Sequence, residues 1–190
     1  MEDVLFLYDQ AMELLVRLHS YRCTKRNEVG GDGDVQDDMD SIADLLAKRD
    51  LLTFSASLRN FAEAAKTVDA MRASRLPTCK LIVPPQAPYF VQPGDTISLY
   101  QALSRIIHSH KLRILRSSYD FWLLVARTDE EVFSTVTQPV IHSETLLLLQ
   151  TEREPATAIE LRTLVRSACT FLNSASEALK ITQRGDRIGV

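Results

Sequence analysis

Apolar positions along this chain recur mostly with a helical period. Between residues 3 and 20, Val4, Leu5, Leu7, Tyr8, Met12, Leu15, Val16 and Leu18 are interleaved with Asp9, Gln10, Glu13 and Arg17. Steps of three and four predict an amphipathic helix of about five turns. The same spacing returns at Met39, Ile42, Leu45 and Leu46. It runs again through Leu51, Phe54, Leu58, Phe61, Ala62, Ala65, Val68 and Met71, with polar Arg59, Asn60, Glu63, Lys66 and Asp69 between them. A short turn or kink at Arg49 and Asp50 would divide the two stretches. Leu99, Leu103, Ile106 and Ile107 predict a further helix, capped by Asp95 or Thr96 and running to about Lys111. A last helix is expected from Glu154, with Pro155 tolerated in its first turn. Its stripe of Ile159, Leu161, Leu164, Val165, Ala168, Phe171, Leu172, Ala175 and Leu179 is wide enough to need covering on more than one side.

Three segments break the helical pattern. Residues 22–34 combine Arg22, Lys25 and Arg26 with Gly30, Gly31 and Gly33, which reads as a flexible charged loop open to trypsin at Arg26. Residues 74–97 contain Pro77, Pro84, Pro85, Pro88 and Pro93, which forbid a helix. That stretch reads as a long extended connection or strap, with a short strand at residues 80–83. From residue 112 onward, short runs rich in strand formers replace the helical spacing: residues 112–115, 121–126 and 132–137, then Val140, Ile141 and the leucines 146–149. A hairpin or small antiparallel sheet is expected across 112–150, with helix as the competitor for its last segment. The chain thus reads as one mainly helical domain over 1–190: a helical bundle with a small β elaboration in its C-terminal half.

Composition narrows the function classes. With 45% hydrophobic and 25% charged residues the chain is ordinary for a globular domain. A net charge of -3 argues against a dedicated duplex-DNA binder, because neutralising phosphates needs basic excess. Cys23, Cys79 and Cys169 are odd in number and lack metal-ligand spacing, which fits free thiols in a cytoplasm. The acidic start is not a signal peptide, and no apolar run has the length of a membrane span. Read as a calcium loop, the acidic stretch from Asp32 would need Gly at its sixth position and Glu at its twelfth, but has Asp37 and Ala43. No metal or cofactor is expected.

One element carries candidate chemistry. Arg105, His108, His110 and Lys111 cluster on the helix expected over 95–111, and Arg113 and Arg116 follow. Helical geometry groups Ser98, Gln101, Arg105 and His108 on a polar face, and puts His110 with Leu99, Leu103 and Ile106 on an apolar one. Cleaving RNA through its 2′-hydroxyl needs a group titrating near neutrality and a cation for the phosphate. Histidine and arginine meet those needs without a metal. A histidine hydrogen-bonded inside a helical core accounts for His110 equally well. Arg59-Asn60 reads as a solvated face or a supporting arginine, His142 as a loop residue and Trp122 as core.

Arg105 followed by four residues and His110 resembles the R-x4-6-H element of the HEPN superfamily, although Ile106 stands where that family usually has a polar residue. The resemblance implies a helical, commonly dimeric protein, and a metal-independent ribonuclease of a prokaryotic defence or toxin–antitoxin system. Arg105 and His110 would be catalytic, aided by His108, with Lys111, Arg113 and Arg116 holding RNA. The alternative is an interaction or assembly subunit, or an antitoxin-like regulator, without catalysis. A homodimer, an RNA and a protein partner are the expected associations.

Overall fold

The computed structural model describes residues 2–23, 33–82, 90–115, 123–126, 133–136, 145–152 and 157–180. The chain is mostly helical, with antiparallel sheets. Helix α1 (Glu2–Cys23) buries Tyr8, Ala11, Leu14, Leu15 and Leu18, so the stripe expected there is the one that packs. Helix α2 (Gly33–Ala64) buries Ala47, Leu51, Phe54, Leu58, Phe61 and Ala62 against it. The two run antiparallel. Ser57 Oγ donates to Gln10 Oε1 at 3.1 Å near one end, and Tyr21 Oη donates to Asp50 Oδ2 at 3.1 Å near the other.

No turn divides α2 at Arg49 and Asp50. Asp50 faces inward at 3% exposure, where Tyr21 and the Arg49 guanidinium share its carboxylate. A polar residue at that register reads as a break, but its charge is satisfied by side chains and the helix continues. The helix ends instead at Ala64, and Lys66 makes the turn that follows. Its left-handed backbone (φ 56) lets Thr67 N–H reach Ala62 O at 2.8 Å, and Lys66 N–H reach Glu63 O at 3.2 Å. The short helix α3 (Val68–Ala73) follows and buries Met71.

The described parts of the proline-rich stretch, residues 75–82 and 90–97, are extended, but they are not a lone strap. They form β1 (Arg75–Ile82) and β2 (Phe90–Ser98), paired antiparallel with a register shift between Pro77 and Cys79. Helix α4 (Leu99–His108) comes next, then β3 (Lys111–Leu115), β4 (Leu123–Ala126), β5 (Phe133–Val136), β6 (Leu146–Gln150), β7 (Thr157–Glu160) and helix α5 (Leu161–Ala178). The main sheet has five strands in the order β2-β1-β7-β6-β3, and β4 and β5 pair separately. The elaboration is therefore larger than a C-terminal hairpin, because β1 and β2 belong to the same sheet. Residues 157–160, expected as helix, are a strand paired to β6.

Alternation sorts this sheet into two faces. Leu147, Leu149, Ile159, Leu112 and Ile114 join Phe54, Phe61, Leu103, Leu164 and Phe171 in the helical core. Leu146, Leu148 and Ala158 have the opposite parity and are buried as well. A strand buried on both faces reads as an unbroken apolar run, which explains the leucines at 146–149. Tyr8, Phe61 and Phe171 stack in series at 5.8 and 6.3 Å, tying α1, α2 and α5 together. The apolar face of α5, expected to need a second copy, is covered within the chain: Leu161, Leu164, Ala168, Phe171, Leu172 and Ala175 are all buried. Among the described residues no helix is long and apolar enough to cross a membrane. Residues 24–32 of the expected loop, together with Trp122 and His142, lie outside the described residues.

Two tests follow from this packing. Gly94 faces the strand bulge, where an added Cβ would sit 2.5 Å from Thr78 Oγ1 and 3.0 Å from Thr78 O. Thr78 cannot readily yield, because it is buried and donates to Asp95 O at 2.7 Å. Gly94→Ala should lower unfolding stability in urea by about 1–3 kcal/mol. The second test uses Tyr21, whose phenol is held above its ordinary value of 10.0 by burial and then by the Asp50 carboxylate. Tyr21 contributes fully while both folded and unfolded chains keep it protonated, and that contribution fades as pH climbs from 10 through the raised folded value. Tyr21→Phe should cost about 1 kcal/mol at pH 7, with the gap to wild type closing above pH 10.

Candidate functional site

Helix α4 starts from a capping box. Ser98 Oγ accepts from Gln101 N–H at 3.1 Å, and Gln101 Oε1 accepts from Ser98 N–H at 2.9 Å. The expected cap at Asp95 or Thr96 is thus displaced to Ser98, because β2 runs on to that residue. The buried side of α4 is Leu99, Ala102, Leu103 and Ile106. Arg105 lies half-buried beside that stripe, and its Nη1 donates to Thr157 Oγ1 at 3.0 Å.

The helix stops before the second histidine. His108 is its last residue, and Ser109 turns extended at φ -71, ψ 125, its N–H bonded back to Ile106 O. His110 N–H then donates to Gln150 O at 3.0 Å, and β3 pairs from Lys111 opposite Gln150. His110 is therefore not on the helix and does not lean toward the core. It is exposed at the entry to a strand, as His108 is exposed at the end of α4. Lys111 is half-buried and Arg113 exposed along the edge strand, while Arg116 lies outside the described residues.

This arrangement separates the two motif residues. Arg105 is anchored on β7 through Thr157, whereas His110 leads into β3, and β6 lies between those strands. The two motif residues thus stand on different elements, Arg105 on α4 and His110 just before β3.

Arg59 is not a solvated residue. Its Nη2 donates to Tyr100 Oη at 2.8 Å, and its guanidinium lies 4.6 Å from the centre of that ring, with Arg72 at 5.1 Å. It joins α2 to α4 as a structural cation–π contact. Beside the Tyr21–Asp50 pair, Leu18, Tyr21, Ala47, Leu51, Ile114, Thr145, Leu147 and Leu161 line a cavity of about 10 Å³, room for a single water. Among the described residues no group of three or more His, Cys, Asp or Glu side chains is arranged to hold a metal ion.

The outer side of α2 was not singled out by sequence. Ile42, Leu45, Leu46 and Leu52 are exposed at 53%, 67%, 37% and 41%. Their signal was present in the helical spacing, but spacing alone does not distinguish a covered stripe from an open one. No family model, curated protein or solved structure was found to match the chain.

Placement of the histidine gives a direct check. His110→Ala removes an exposed side chain, so it should change stability by no more than about 0.5 kcal/mol. Thr157→Val should cost about 1 kcal/mol by removing the hydroxyl that accepts from Arg105. Urea denaturation of both variants reads the contrast. A large loss in His110→Ala would place that imidazole in the core.

Proposed function

We propose that this chain is a non-catalytic interaction and assembly subunit that works through helix α2. The observation that carries this reading is the open row of Ile42, Leu45, Leu46 and Leu52. Contiguous apolar surface on a soluble domain marks an interaction site, because leaving it in water forgoes the free energy of burial. Ile42, Leu45 and Leu46 precede the contact of the last turn of α1 with Asp50, and Leu52 is turned away from the side of α2 that buries Leu51, Phe54 and Leu58. The hydrogen bond from Arg105 to Thr157 and the exposed place of His110 ahead of β3 set the two motif residues on different elements, which supports this reading.

The second reading is metal-independent RNA processing of the HEPN type. The exposure of His108, His110 and Arg113 along one continuous segment favours it, since such a ridge is open to a phosphate backbone. Two measurements separate the readings. A photo-reactive residue at position 45 should form protein adducts in cells, whereas one at the fully exposed Asp69 should not. RNA incubated with wild type or His110→Ala in EDTA should remain intact with both. Cleavage by wild type that His110→Ala abolishes would overturn the assembly reading, as would a position 45 that captures no protein.

A further inference from the structure

We infer that Arg59, Arg72 and Tyr100 form a binding site for a phosphate dianion where α2, α3 and α4 meet. The inference is independent of the open row on α2. Arg59 Nη2 donates to Tyr100 Oη at 2.8 Å, and its guanidinium carbon lies 4.6 Å from the ring centre. The Arg72 guanidinium carbon lies 5.1 Å from the same centre. One ring thus holds two cations, each placed by a cation–π contact. Because Tyr100 Oη accepts from Arg59, its own hydrogen is left to donate, and it has no acceptor among the described residues.

The donors in this cluster outnumber the acceptors around them. Glu63 stands 3.8 Å from Arg59, and Asp69 stands 3.7 Å from Arg72. Both separations are longer than a hydrogen bond, and both carboxylates are well exposed, so each pair is weak. The Arg59 side chain is only 20% exposed, and its Nε is buried without a partner among the described residues. A half-buried cation so poorly paired favours a counter-ion. The Nε is closed off, so a ligand meets the Arg59 Nη groups, the 60% exposed guanidinium of Arg72 and the Tyr100 hydroxyl. Guanidinium forks match phosphate oxygens, and the phenol adds a third donor. Two positive charges favour a dianion over a monoanion. Glu63 and Asp69 weaken the site without closing it, since solvent screens both. The ligand is therefore inorganic phosphate or the terminal phosphate of a small monoester.

Amide chemical shifts of the full chain, titrated with inorganic phosphate, glycerol phosphate and dimethyl phosphate at constant ionic strength, test the site. At about pH 8 the first two are dianions. Inorganic phosphate should shift the Arg72 and Tyr100 amides saturably, and the monoanion dimethyl phosphate should bind at least roughly fivefold more weakly. Glycerol phosphate separates the two sources of the ligand: matching affinity assigns a monoester, and its failure to bind assigns the free ion. Arg72→Gln should weaken phosphate binding roughly tenfold and Tyr100→Phe roughly threefold. Arg72 is exposed and Tyr100→Phe keeps the ring, so both variants should retain wild-type circular dichroism. Arg113→Gln, an exposed change on β3, should bind phosphate as wild type does. The inference is overturned by the absence of a saturable shift, by binding that Arg72→Gln leaves intact, or by dimethyl phosphate binding as tightly as phosphate.

Discussion

The pairing of β3 with β6 constrains much of what this protein can do. Lys111 opposite Gln150 through Leu115 opposite Leu146 fixes a register in which Leu112, Ile114, Leu147 and Leu149 all face the helices. A slip of one residue would turn these side chains to the other face, so the register is strongly held. Only Ser109 and His110 separate this strand from α4. The helix must therefore end at His108, and the His110 amide is taken by the Gln150 carbonyl. A motif that looks helical in sequence is divided by the sheet between a helix and a strand.

The burial pattern also explains how the open apolar row on α2 arises. α4 and α5 spend their apolar stripes inside the chain, on the face of the sheet that carries Leu147, Leu149 and Ile159. α1 spends most of its own on α2, leaving Phe6 and Val16 exposed. α2 is longer, 32 residues against 22 for α1, and has apolar side chains on more than one side. One side meets Leu14, Leu18 and the sheet, and the other carries Ile42, Leu45, Leu46 and Leu52 into solvent. The open apolar row is a consequence of unequal helix lengths and a second apolar side.

Much of the helical framework was legible in the sequence. The spacing of Tyr8, Leu15 and Leu18, of Phe54, Leu58 and Phe61, and of Leu164, Ala168, Phe171 and Ala175 identifies sides that are buried. The extended character of β1 and β2, which hold Pro77 and Pro93, and of the leucine run at 146–149 was also legible, since proline excludes helix and β6 is buried throughout. Three features were not. Asp50 looked like a break because its partners Tyr21 and Arg17 are distant in sequence. Residues 157–160 continued a helical spacing, and only the ladder to β6 makes them a strand. The sheet order joins strands far apart along the chain, so local pattern carried no information on it. The candidate site shared that weakness: the positions of Arg105 and His110 depend on Thr157 and Gln150, which no local spacing connects to them.

The central claim is that the open row of Ile42, Leu45, Leu46 and Leu52 on α2 is the surface through which the chain is proposed to assemble. Photo-crosslinking in cells from position 45, repeated in a chain carrying Leu46→Glu and Leu52→Glu, tests it most directly. Position 45 should capture a protein, and the two charges should abolish that capture while circular dichroism stays unchanged, because both residues are exposed. A position 45 that captures no protein, or a capture that the charges leave intact, would contradict the account.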